Sequence, residues 1–173
     1  IYATLGLEAA GRFDEVLATY HALLDVLLKH EYKIDWMIKE PHPKEAYRYI
    51  HARYDPLTCD EIHEEWGNKQ NDAVGALLFK LGDLHKKGLP VLRDENDKRI
   101  VQKLVDYLAA IEYWHDADNG MWEEAEEVHA SSVGASVAGL ESVRHLVPVP
   151  QELIDHGKRT LNILDAGCQA GRL

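Results

Sequence analysis

The sequence has few of the residues that carry metal, redox or nucleic-acid chemistry. Its 173 residues include two cysteines, and 19 lysines and arginines stand against 30 aspartates and glutamates, which gives a net charge of −11. A chain this negative does not suit a nucleic-acid backbone or an anionic membrane as its partner. The length predicts one domain with a substantial hydrophobic core.

Long apolar runs and targeting signals are also missing. No stretch of 18 apolar residues and no signal-peptide pattern occurs. We therefore predict no membrane span and expect a cytoplasmic location. The chain begins at Ile1 rather than at a methionine, so we expect it to be part of a longer protein.

The cysteines and the ten histidines match no metal-binding pattern. Cys59 and Cys168 are far apart in the sequence, and we expect free thiols, with a single disulfide as the alternative. No histidine has the spacing of a zinc site, and we predict neither a metal nor an organic cofactor. Residues 116–120 resemble a calcium loop, but their glycine comes one position too early for an EF-hand.

Apolar residues recur at three- and four-residue spacing along most of the chain. This period predicts an all-α protein whose successive helices form antiparallel hairpins, without strand pairs. Small residues at 134–136 and 138–139 predict a close approach between two helices. About six helices are expected, over residues 1–11, 14–39 and 72–87, from the acids of residues 94–97 to about Trp114, from Ser131 or Ser132 to the break at residues 147–150, and from Gln151 onward.

The interval between Lys103 and Arg144 contains nine carboxylates and no lysine or arginine. Within it, Trp122 is followed at once by Glu123 and Glu124. Glycoside hydrolysis needs a carboxylic acid to protonate the leaving oxygen and a carboxylate opposite it. An aromatic neighbour raises the pKa of a glutamate and so favours the protonated acid. This segment is a candidate for sugar binding and proton transfer. The alternative is a solvated acidic loop, because two more glutamates follow at 126 and 127.

A second candidate segment covers residues 66–72. Trp66 is suited to stacking on a sugar face, and the amide and carboxyl groups of Gln70 and Asp72 supply donors and acceptors for sugar hydroxyls. The alternative is the start of a helix, with Asn71 or Asp72 as its N-cap and Trp66 as a packing residue.

Together the two segments resemble the glucoamylase-like family 15 glycoside hydrolases and the related N-terminal domains of phosphorylase kinase α and β subunits. Glucoamylases have a Trp-Gly…Gln…Asp segment and a later Trp-Glu-Glu loop, and the kinase subunits have a Gly-Met-Trp-Glu loop and an Ala-Ser-Ser-Val-Gly helix start. The resemblance covers about residues 45–160. It is carried by Trp66-Gly67-Asn68-Lys69-Gln70-Asn71-Asp72-Ala73, Asn119-Gly120-Met121-Trp122-Glu123-Glu124 and His129-Ala130-Ser131-Ser132-Val133-Gly134.

The resemblance implies an (α/α)6 toroid-type helical barrel. Residues 1–173 would form about half of it, a single partial domain without its N-terminal and C-terminal portions. The implied activity is inverting hydrolysis of α-glucan or oligosaccharide ends. Glu123 would be the general acid, and substrate would be bound by Glu124, Trp66, Gln70, Asp72 and Trp122.

The chain departs from the family pattern in two places. It ends before the glutamate that serves the family as catalytic base, and it lacks the Arg-Asp sugar clamp expected near the family's N-terminus. A non-catalytic glucan-binding or regulatory module like the kinase subunits is therefore the alternative, and a structural helical scaffold is a third. A half-toroid would expose apolar helix faces, so we also expect self-association or pairing with the missing half.

Overall fold

The computed structural model describes residues 1–62, 69–121 and 125–169. Within these ranges the regular structure consists of seven α-helices, one short 3-10 helix and two isolated β-bridges, so the all-α prediction is confirmed. The helices are α1 (Tyr2–Ala9), α2 (Phe13–Lys29), α3 (Glu31–Lys39), α4 (Asn71–Lys86), α5 (Glu95–Ala110), α6 (Ala130–Val143) and α7 (Gln151–Gln169), and the 3-10 helix is Ala46–Arg48.

The single helix predicted from residue 14 to residue 39 is wrong, because the chain bends at His30. This residue has φ −103° and ψ 19°, so its ψ lies far from the helical value near −42°. Its Nε2 atom lies 2.8 Å from the carbonyl oxygen of Cys59, and its ring lies 5.3 Å from that of Tyr54. The bend therefore coincides with contacts to a distant loop.

Several helix ends also differ from the predictions. Helix α5 ends at Ala110 rather than near Trp114, and Glu112 adopts a positive φ of 51° just beyond it. Helix α6 begins after His129, so neither Ser131 nor Ser132 is its N-cap. The glycine expected to close α4 is confirmed, since Gly88 follows the helix with φ +82°.

Helices α4 and α6 are parallel and approach each other closely. A methyl group added at Gly75 would overlap the backbone of Ala135 and Ser136, and one added at Gly82 would overlap Ser142. Contacts advance by about seven residues on both helices, which requires the same direction. The close approach predicted for the small residues of α6 is confirmed, and its counterpart on α4 is a pair of glycines.

A second layer of parallel helices packs against the first. Glu31 on α3 accepts from Arg99 on α5 at 2.9 Å, and Asp35, one turn later, accepts from Lys103 at 2.5 Å. Consecutive helices form hairpins, as where Thr4 Oγ1 of α1 lies 2.9 Å from Tyr20 Oη of α2. With α2 and α3 as two parts of one bent helix, the seven helices make three inner–outer pairs of an α/α toroid.

The hydrophobic core lies between the two layers. Burial there removes apolar surface from water and is the main stabilising contribution to the fold. Both cysteines are free thiols, as predicted. No helix within the described ranges is long and apolar enough to cross a membrane. The largest fully buried side chains are Tyr20, Tyr113, Leu24, Ile34, Met37, Leu78, Leu81, Leu84, Ile100, Leu104, Leu108 and Ile111.

Candidate functional site

The candidate site lies where α4 and α6 begin. Because these helices are parallel, their N-termini lie at the same end of the structure. The described residues that lead into them, 69–70 before α4 and 112–121 and 125–129 before α6, therefore meet there. Each helix N-terminus presents unpaired backbone N–H groups and a positive partial charge, which favours acidic and hydroxyl-bearing groups nearby.

The two segments are joined by hydrogen bonds across about 50 residues of sequence. The backbone N–H of Asn119 donates to the carbonyl of Lys69 at 2.9 Å, and the N–H of Lys69 donates to Oδ1 of Asn119 at 3.3 Å. Asp118 Oδ2 accepts from the N–H of Asn71 at 2.8 Å. A carboxylate from the second segment thus satisfies the first turn of α4.

This arrangement corrects the helix-cap alternative. Gln70 is the N-cap residue of α4, and its side chain makes no capping hydrogen bond. Neither Asn71 nor Asp72 is the N-cap, since both lie inside the helix. The side chain that caps α4 is Asp118, which accepts from the N–H of Asn71 and is 47 positions away in the sequence.

Four of the six predicted site residues lie outside the described residues: Trp66, Trp122, Glu123 and Glu124. The other two, Gln70 and Asp72, both line a cavity of about 390 Å³. Met121 lines the same cavity. Further lining residues come from the loop after α3 and from the apolar faces of α2, α4 and α5, including His51, Tyr54, Leu27, Leu77 and Leu104.

Asp72 is a half-buried carboxylic acid on the wall of this cavity. Burial raises its pKa above the ordinary value, and the backbone N–H of Ala73 offsets part of that shift. Its Oδ1 atom is buried without a hydrogen-bond partner among the described residues. Asp72 therefore offers an unsatisfied polar oxygen beside the cavity.

Asp118 forms a second buried carboxyl next to Asp72. Burial raises its pKa, and the nearby charge of Asp72 raises it further. The N–H of Asn71, the hydroxyl of Ser132 and the charge of His129 act in the opposite direction. Two carboxyls with raised pKa values therefore share the end of α4, and such clusters are typical of sites that exchange protons or bind polar ligands.

A backbone pair joins Asp118 to Glu127 in the described parts of the loop between α5 and α6. Asp118 N donates to Glu127 O at 2.9 Å, and Glu127 N donates to Asp118 O at 3.0 Å. Within the loop, Gly120 has φ +59°, and a Cβ there would lie 2.7 Å from Cδ2 of His129. Only glycine fits this conformation and this close ring contact without strain.

Asp116, the first acid of the segment that resembles a calcium loop, is engaged by groups of the protein itself. Asp116 accepts from Lys69 Nζ at 2.6 Å and from Asn71 Nδ2 at 2.8 Å. In the described ranges no group of three or more histidine, cysteine, aspartate or glutamate side chains is arranged to hold a metal ion. Lys69, Asn71, Asp116, Asp118 and Asn119 are residues to which sequence reasoning assigned no role in the site. The signal available for them was their position in the two polar segments, before α4 and after α5.

A family model described as glycosyl hydrolases family 15 matches residues 2–149. The chain is 30% identical over 142 residues to the liver isoform of phosphorylase b kinase regulatory subunit alpha from Takifugu rubripes, covering 77% of this chain and 11% of the relative.

Two further relatives have similar names. The corresponding subunit of Mus musculus is 29% identical over 142 residues, again 77% of this chain and 11% of the relative. A probable phosphorylase b kinase regulatory subunit alpha of Caenorhabditis elegans is 26% identical over 131 residues, covering 70% and 10%. The chain spans about a tenth of the length of these curated relatives.

Proposed function

This chain belongs to family 15 of the glycosyl hydrolases, and we propose that it forms part of a domain that hydrolyses α-glucan or oligosaccharide ends with inversion. The observation that carries the proposal is the pairing of the two segments through Asn119, Lys69, Asn71 and Asp118. It supports a single site built from both candidate motifs, although they are some fifty residues apart.

In the proposed mechanism Glu123 protonates the leaving glycosidic oxygen. Glu124 and Trp122 bind sugar from the same loop, while Trp66, Gln70 and Asp72 bind it from the segment that leads into α4. The cavity beside Gln70 and Asp72 is of a size that accommodates a small ligand. The half-buried carboxyl of Asp72, whose pKa is raised by burial, is a hydrogen-bond partner for a sugar hydroxyl in this proposal.

Inversion also requires a second carboxylate that activates water on the opposite face of the sugar, about 6.5–9.5 Å from the acid. We propose that this base comes from a part of the toroid outside residues 1–173, which would then be one partial domain. Acid, base and water are sufficient for the reaction, so no metal or organic cofactor is needed.

Apolar side chains exposed on the inner layer support pairing of this segment with another part of the toroid or with a second copy. Tyr2 is 66% exposed, Leu5 50% and Phe79 44%, and the three border a mainly apolar cavity of about 250 Å³. Exposed apolar surface of this kind favours association. A cytoplasmic location remains our proposal.

The direct test of the mechanism is hydrolysis of maltooligosaccharides by the intact protein and by its Glu123→Gln variant. Loss of the general acid is expected to lower kcat by about 100-fold or more. Glu126→Gln, a change of the same kind at an exposed position of the same loop, is the matched control and is expected to keep its activity. An active Glu123→Gln variant would refute the assignment of the acid.

A second candidate function is a glucan-binding or regulatory module without catalysis. The specific observation in its favour is the similarity to regulatory subunits of phosphorylase b kinase, which bear that regulatory function in their names. Wild-type protein that binds a maltooligosaccharide and leaves it uncleaved would establish this alternative over the enzyme.

A further inference from the structure

We propose that Lys69 and Asp116 are positioning residues of this site, and that their buried ion pair fixes the segment before α4 against the segment after α5. The pair would thereby set where Gln70 and Asp72 lie relative to residues 116–121 and 125–129. As far as sugar is concerned, this inference rests on the proposed function. The positioning role itself is tested separately, by amide hydrogen exchange without any sugar.

The ion pair is short, buried and fully engaged. Lys69 Nζ lies 2.6 Å from Asp116 Oδ1, and the two side chains are 7% and 2% exposed. The other carboxylate oxygen, Oδ2, accepts from Asn71 Nδ2 at 2.8 Å. Asn71 in turn accepts at its Oδ1 from the Tyr107 hydroxyl at 3.1 Å. Asp116 is therefore tied to both ends of the segment that contains Gln70.

A third segment also converges on the pair. His42, in the loop after α3, places Nδ1 3.2 Å from the same Oδ1 of Asp116. The ammonium group of Lys69 also lies 4.9 Å from the centroid of the Tyr49 ring, within the range of a cation–π contact. The loops after α3, before α4 and after α5 thus meet at one charged contact.

This pair also supplies a positive charge to a stretch of the sequence that has many acids and no lysine or arginine. The interval from Lys103 to Arg144 contains no cation for its nine acids. Lys69 supplies one to Asp116 from 47 positions earlier. A buried ion pair contributes little net stability, because the loss of hydration offsets most of the attraction. The pair instead fixes the relative position of the two segments, because Lys69 and Asp116 reach each other only when both segments are in place.

Lys80 provides a matched control for the loss of a buried lysine. It is 4% exposed, as Lys69 is 6% exposed, and it also forms ion pairs, to Glu8 at 2.7 Å and to Asp83 at 2.6 Å. These contacts join α1 to α4 and involve neither of the two site segments. Lys69→Met and Lys80→Met therefore remove the same group from comparable surroundings.

The first measurement is amide hydrogen exchange in the intact protein. We expect Lys69→Met to speed exchange about tenfold or more at four backbone N–H groups. Those of Asn71 and Asn119 donate from one segment to the other, and those of Asp118 and Glu127 pair with each other within the second segment. Lys80→Met should leave these four unchanged and speed exchange in α1 instead. Asp116→Asn, which keeps the side-chain shape, should reproduce the Lys69→Met pattern if that variant folds poorly.

The second measurement is the affinity of the same variants for maltoheptaose by calorimetry. We expect Lys69→Met to weaken binding about tenfold and Lys80→Met to leave it unchanged. Unchanged exchange at the four amides, or an equal rise throughout the protein, overturns the inference. So does faster local exchange with unaltered affinity. Wild type that binds no maltoheptaose refutes the proposed function instead, and the exchange pattern then decides the positioning role alone.

Discussion

Two residues of the segment before α6 are constrained by contacts with other parts of the structure. Gly120 combines a left-handed backbone with contact to the His129 ring. Asp118 combines complete burial, a raised pKa and a hydrogen bond to the first turn of α4. Both residues belong to the segment that leads into α6, and both restrict the conformation of its backbone.

Replacement of Gly120 by alanine is expected to lower the free energy of unfolding by about 1–3 kcal/mol, because a side chain is strained at this φ and collides with His129. Urea denaturation measures the change. Gly134→Ala is the control, since no atom lies within 4 Å of its added methyl group and alanine is the better helix former. Equal effects of the two substitutions would show that Gly120 is not under this constraint.

The residues that the sequence left unassigned share a physical cause. Lys69, Asp116 and Asp118 acquire their roles from partners about 50 positions away, and local spacing contains no information about such pairs. Gln70 and Asp72 were identified because their segment has a recognisable motif, and both line the larger cavity. The roles predicted for Glu123, Glu124, Trp66 and Trp122 fall outside the described residues and stay predictions.

One helix agrees closely with the bounds that the apolar period predicts. Helix α4 was predicted over residues 72–87 and occupies Asn71–Lys86. The bend at His30 was missed because the apolar period continues through it, and the contacts of His30 with Cys59 and Tyr54 lie outside any local window. The end of α5 was misplaced because Tyr113 and Trp114, though apolar and buried, belong to the following turn.

Parallel packing of α3 on α5 depends on an acid–base cluster that responds to pH. Hydrogen bonds from Arg99, together with Lys103, lower the pKa of Glu31 to about 2, although burial acts in the opposite direction. A pKa below the unfolded value of about 4.5 means that the ionised form stabilises the fold. This contribution is complete above pH 4.5 and is lost as the pH falls toward 2.

Glu31→Gln should therefore reduce stability near pH 7 by about 1 kcal/mol, a small figure because Arg99 is almost half exposed to water. It should also flatten the dependence of stability on pH between about 4.5 and 2. Denaturation at a series of pH values provides the measurement. Glu141→Gln, which breaks the exposed pair with Lys158, should leave the slope unchanged. An identical slope in wild type and Glu31→Gln would contradict the account.

At the scale of the whole molecule, the proposed site depends on the parallel direction of helices α4 and α6. Helix α5 lies between α4 and α6 in the sequence and returns the chain to the end where α4 began. Because α4 and α6 are therefore parallel, their N-termini lie at the same end of the structure, and two motifs that are distant in the sequence become neighbours. The all-α class and the toroid were predictable from period and resemblance. The actual contacts between the motifs were not, because they join side chains and backbone groups 45 or more positions apart in the sequence.

The most direct test of the central claim is a crystal structure of the intact protein with a bound maltooligosaccharide. Both proposed functions require sugar at the same end of the toroid. We predict a glucose unit in the cavity beside Met121, within hydrogen-bond distance of Gln70 or Asp72. Sugar bound only elsewhere on the protein, or no bound sugar at a saturating concentration, would contradict the account.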